Sequence, residues 1–134
     1  FVKEIHDTHH PISNALYYEE QMEPAKLRSE HFLEIRAPKY LGYFERVLAG
    51  NPAKSGYLIG ENPTYPDLSI FQMVAGLRYA FPKAMARIEP DFPMASRLHD
   101  TVAALPRIAG YLASERRIPF NEKGIFRCYP DLDD

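Results

Sequence analysis

Three histidines and an aspartate fall within five residues near the start of the chain: His6, Asp7, His9 and His10, with Pro11 directly behind. The protein holds five histidines in all. Imidazole can take up or release a proton near neutral pH, ligate a metal, or give a pocket wall a polar spot. His6 and His10 stand at i and i+4, so a helix places them on one face. Tyr17 lies two turns past His10 along that face if the helix continues. The spacing therefore predicts two imidazoles and a phenol on one helix face. A metal site is the weaker reading. An i, i+4 histidine pair can chelate an ion, but His9 points off the shared face, no other His or Cys lies nearby, and Pro11 disturbs the helix. No metal is expected.

The remaining candidates carry less chemistry. Thr64 and Asp67 could pass for a catalytic pair, yet T-x-x-D ahead of an apolar run is a helix-capping signature. Both are assigned to folding. Cys128 is the single cysteine and follows Arg127. It can form no internal disulfide, which fits a reducing cytoplasm, and it reads as an ordinary thiol. Arg116 and Arg117 read as a solvated pair. No residue of the chain is predicted to be catalytic, and no glycine spacing makes a phosphate loop.

Charge and length narrow the classes. Sixteen basic and eighteen acidic residues give a net charge of −2, with both signs spread along the chain. A nucleic-acid binder would show a basic excess or stripe, so none is expected as a partner. The most apolar stretch, Leu68 to Phe81, is too short to span a bilayer. A chain of 134 residues, 46% hydrophobic, suits one compact domain over 1–134.

The elements that must position these residues read as helical almost throughout. Phe1 to Met22 forms a helix candidate with Ile5, Ile12, Leu16 and Tyr17 among its apolar positions, kinked or restarted at Pro11. A second helix runs from about Ala25 to Leu48, with Leu33, Tyr40, Phe44, Val47 and Leu48 on its apolar face and a bend at Pro38. AGNPAKSG is a loop by composition, and YLIG is packed coil. Thr64 and Asp67 then open a helix from Tyr65 to about Phe81, apolar nearly all round and so centrally buried. A fourth helix, Phe92 to Leu105, aligns Phe92, Ala95, Leu98, Val102 and Leu105. Pro106 opens a short fifth helix ending near Ser114. Residues 115–134 lack helical period and read as an extended tail packed over the body. The fold class is an all-α bundle of five or more helices.

The order and chemistry of these elements resemble the C-terminal helical domain of cytosolic glutathione transferases, nearest to the mu and sigma classes. GENPTYPDLSIFQ resembles that family's capping box and buried central helix. DFPMASRLHDTVAALPRIAGYLASERRIPF is similar to its F-P…L-P-x-I-x-x-Y…S-x-R-x-P stretch. HDT at 6–8 with Tyr17 resembles its first C-domain helix. The resemblance covers essentially the whole chain. It implies a thioredoxin-like domain, absent from this chain, that carries most of the glutathione site and the sulfur-activating residue. It further implies glutathione as co-substrate, a cytoplasmic homodimer acting in detoxification, and a small electrophile held in a pocket lined by the helix face of His6, His10 and Tyr17. Asp7 would meet the amino group of glutathione held by the partner subunit. This chain alone would not conjugate glutathione. The alternative is a non-catalytic interaction module of the same shape, and an isomerase or peroxidase built on this fold would share the cofactor.

Overall fold

The computed structural model describes residues 1–133, and among them it is all helix, turn and coil, with no strand. Seven α-helices follow in order: α1 Val2–His9, α2 Met22–His31, α3 Ala37–Gly50, α4 Tyr65–Ala80, α5 Pro82–Ile88, α6 Pro93–Ala103 and α7 Pro106–Leu112. Helix α4 is central and packs most extensively on α6, while α1 lies against α2. The core joins Ile5, Ala25, Phe32, Leu41, Val74, Leu77, Leu98 and Val102, all almost fully buried.

The second predicted helix is present, and its bend has a definite cause. Residues Phe32–Arg36 form one π-helical turn between α2 and α3, in which the Ala37 N–H reaches the Phe32 carbonyl five residues back. Pro38 follows at once. Its ring would crowd the carbonyl four residues back in a regular helix, and a widened turn relieves that crowding.

Helix α4 begins as predicted. The reciprocal box between Thr64 and Asp67 is present. The Thr64 N–H donates to the Asp67 carboxylate at 2.7 Å and the Thr64 hydroxyl at 2.8 Å. The other carboxylate oxygen accepts the Leu58 N–H at 2.8 Å. Asp67 is thus completely buried, and YLIG is the packed coil that it holds in place. Asn51 organises the loop before it, donating to the carbonyls of Tyr57 and Gly60 at 2.8 Å each.

Three expectations change. The first helix does not reach Met22. It stops at His9, because Pro11 cannot continue the ladder and Gln21 captures the chain that follows. The buried Gln21 amide accepts the Ile12 N–H at 3.0 Å and donates to the Ser13 carbonyl at 3.0 Å. Second, residues 82–88 form a helix, α5, which the sequence reading leaves unassigned. Pro82 ends α4 and restarts the helix at its own first position, where proline is at home. Third, α7 is shorter than predicted and ends at Leu112.

The tail is packed over the body, as expected for residues 115–133; Asp134 lies outside the described residues. Phe126 is buried against α4 at Gly76, where a Cβ would sit 2.2 Å from its ring. The Leu132 carbonyl accepts the Ser29 hydroxyl at 2.6 Å. The Asp133 carboxylate caps α5, accepting the N–H groups of Lys83 and Ala84 at 2.8 Å each.

Candidate functional site

Helix α1 has eight residues, too few to be stable alone. Tertiary contacts hold it. Ile5 enters the core, and Glu4 forms a fork with Arg36 of the π-helical turn: Nε donates at 2.7 Å and Nη2 at 2.6 Å. The Tyr40 hydroxyl donates to the same carboxylate at 2.6 Å. Hydrogen bonding from Arg36, above all, draws the Glu4 carboxyl down to about 2 against the cost of burial. This network carries α1 to a fixed position, and the sequence gives no local sign of it, since its members lie 32 and 36 residues apart.

The last turn of α1 then presents the histidines. His6 and His9 ring centroids are 4.8 Å apart, His9 and His10 4.8 Å, and His6 and His10 5.4 Å. His6 and His10 do share a side, as their spacing predicts. The expectation that His9 points away fails: the backbone leaves helical geometry at His10, with φ −134° and ψ 61°, so the His10 ring turns back onto His9. Their Nδ1 atoms lie 2.5 Å apart. His9 Nε2 meets the Ile125 carbonyl of the tail at 2.9 Å. A carbonyl only accepts, so Nε2 carries the His9 proton and His9 Nδ1 presents its lone pair to His10.

Burial keeps the pair neutral. His9 is 1% exposed and His10 8%. Desolvation, the largest cause, pushes His9 down to about 4, with Arg127, His6 and His10 adding to it and the Ile125 carbonyl opposing. His10 is lowered for the same leading reason, again with Arg127 and His6 contributing.

The other predicted site residues are placed as follows. Asp7 is partly exposed, with a carboxylate oxygen 3.8 Å from His6 Nδ1. Tyr17 is not on α1. It precedes a 3-10 turn at Tyr18–Glu20, donates its N–H to Glu20 at 2.7 Å, and is 78% exposed. The one-helix-face argument for Tyr17 therefore fails, because the helix ends before it. Thr64 and Asp67 stand at the start of α4, in the folding role expected of them. Sequence reasoning missed Gln21, which shapes residues 11–17, and Ile125, which fixes the His9 tautomer.

A family model described as the glutathione S-transferase C-terminal domain matches residues 6–115. The chain belongs to that family. Its relatives include a glutathione S-transferase of Plasmodium falciparum, 25% identical over 116 residues, or 84% of this chain and 50% of that protein. The corresponding protein of Plasmodium yoelii yoelii is 25% identical over 84% of this chain and 47% of its own length. Glutathione S-transferase P 2 of Bufo bufo is 32% identical over 71% of this chain and 44% of its own. The chain spans about half the length of the curated relatives it matches. The all-helical architecture agrees with the C-terminal domain of this family, and no helix among the described residues is long and apolar enough to cross a membrane.

Proposed function

We propose that this chain is the electrophile-side domain of a cytoplasmic, dimeric protein that joins glutathione to electrophilic small molecules. The family match over residues 6–115, in a chain half the length of its relatives, is the observation that carries this reading. In the intact protein a preceding thioredoxin-like domain would hold most of the glutathione. A hydroxyl there would stabilise the thiolate by hydrogen bonding. The thiolate sulfur would bond to the electrophilic carbon as halide departs from an aryl halide, or as the π electrons of an unsaturated aldehyde shift toward its oxygen and the α-carbon then takes up a proton.

This chain would supply one wall. Around the end of α1 it leaves Ile12 61% exposed and Tyr17 more so, an apolar and aromatic surface suited to a second domain and a small apolar ligand. The Tyr17 hydroxyl would donate to negative charge growing on the electrophile. His6 would face the ligand, with the more buried His10 fixing the wall from behind. Asp7, partly exposed, is suited to the glutathione ammonium of the partner subunit by a charge-assisted hydrogen bond.

Substitution separates the roles. In the intact protein, His10→Ala and Tyr17→Phe are expected to change the ratio of kcat/KM between an aryl halide and an unsaturated aldehyde by roughly 10-fold. The KM for glutathione should stay unchanged. Tyr17 is exposed, so its variant keeps the fold. Equal loss for every electrophile, together with a raised KM for glutathione, counts against the reading.

A further inference from the structure

We infer that His6, His9 and His10 form a binding site for a late first-row divalent metal ion such as Zn2+, Ni2+ or Co2+. The inference does not depend on the transferase reading. One nitrogen from each ring lies within 4.8 Å of the others, close enough for a single ion to collect all three with small ring rotations. Bonds of about 2.0–2.1 Å in a tetrahedral site put ligand nitrogens roughly 3.3 Å apart. The His9 and His10 Nδ1 atoms, at 2.5 Å, would open by less than an ångström, and His6 would close in.

The protonation states suit an ion. His9 already offers Nδ1 as a lone pair, because Nε2 is committed to the Ile125 carbonyl. A second ring N–H held by a backbone carbonyl is the usual outer partner of a metal-bound histidine, and it fixes the ring for ligation. His10 would ligate through Nδ1 by moving its proton to Nε2, with no net change in charge. Three imidazoles without an oxygen donor favour these ions over Mg2+ or Ca2+. Nearby charge is mixed: Asp7 beside His6 and Glu19 near His10 favour a cation, and Arg127 opposes one. His6 retains 25% side-chain exposure, which gives the ion its entry from solvent and leaves a fourth position on that side.

The test is a Co2+ titration of the intact, untagged, metal-stripped protein, read by visible absorption and by equilibrium dialysis with Zn2+. We expect one equivalent per chain, with the intense absorption of a four-coordinate ion. His6→Ala removes a partly exposed ligand without opening the core. It should weaken binding by roughly 10- to 100-fold, on the scale seen when even the outer partners of a metal site are lost, and abolish the four-coordinate absorption. His31→Ala, on α2, should change neither. Absence of a one-equivalent site in the unaltered protein, or an affinity that His6→Ala leaves unchanged, overturns the inference. Neither readout involves conjugation, so failure here is distinct from failure of the proposed function.

Discussion

Helices α4 and α5 follow one another, separated only by Phe81, and both carry proline in the first turn. They begin in opposite ways. Helix α4 is capped by Asp67, three residues from its partner Thr64. Helix α5 has no side-chain cap from Phe81 before it. Its two free N–H groups are met by Asp133, about fifty residues further on. One start is written in its own four residues; the other exists only after the tail has returned. The same carboxylate chemistry serves both, because helix N-termini carry unpaired donors and a positive dipole end. What differs is how much of the chain must be in place first.

Removing the local cap should cost most. Asp67→Ala leaves the Leu58 and Thr64 N–H groups without their acceptor in a buried setting, and a loss of about 3–4 kcal/mol is expected. Chemical denaturation of the intact protein would measure it. A loss below about 1 kcal/mol would mean that the two caps are equivalent after all. Gly76→Ala attacks the long-range side. A methyl group there collides with the Phe126 ring, and overpacking of about 1–3 kcal/mol follows. Limited proteolysis should show the tail released before the body yields. Asp133→Ala is milder, about 1 kcal/mol, and hydrogen exchange should quicken at Lys83 and Ala84 while α4 stays protected.

One effect shows itself only in acid. Glu4 falls to about 2 in the folded chain from an ordinary value near 4.5. The unfolded chain therefore binds its proton first as pH drops. The stability from this group is fully present above about pH 4.5 and is lost progressively toward pH 2. Glu4→Gln should flatten that part of a stability–pH curve, and an unchanged slope would remove Arg36 as the cause of the shift.

This contrast also separates what could be read in advance. The box at Thr64, the all-round apolar helix after it, the stripe through Ala95, Leu98 and Val102, and the restart at Pro106 are local patterns of spacing and backbone chemistry, and all are present. The end of α1 was hidden because Gln21, not a nearby capping residue, gathers residues 11–17. Helix α5 was hidden because its cap lies at Asp133. Of the candidate site, the pairing of His6 with His10 was legible from i, i+4 geometry. The approach of His9 was not, since it depends on a non-helical backbone at His10 and on the Ile125 carbonyl, 116 residues away. Tyr17 was misplaced for the same reason that α1 was drawn too long.

The seat of Phe126 on Gly76 has a consequence for how the chain is made. A ribosome releases α4 well before residue 126, and α5 well before Asp133. Until those residues emerge, α4 shows an unfilled apolar notch, α5 lacks its cap, and His9 lacks its carbonyl. Domains synthesised in this order expose sticky surface for the interval. The contacts of residues 125–133 thus complete the helices made before them, and a product cut short before residue 126 would leave the ribosome as a target for chaperones and proteases.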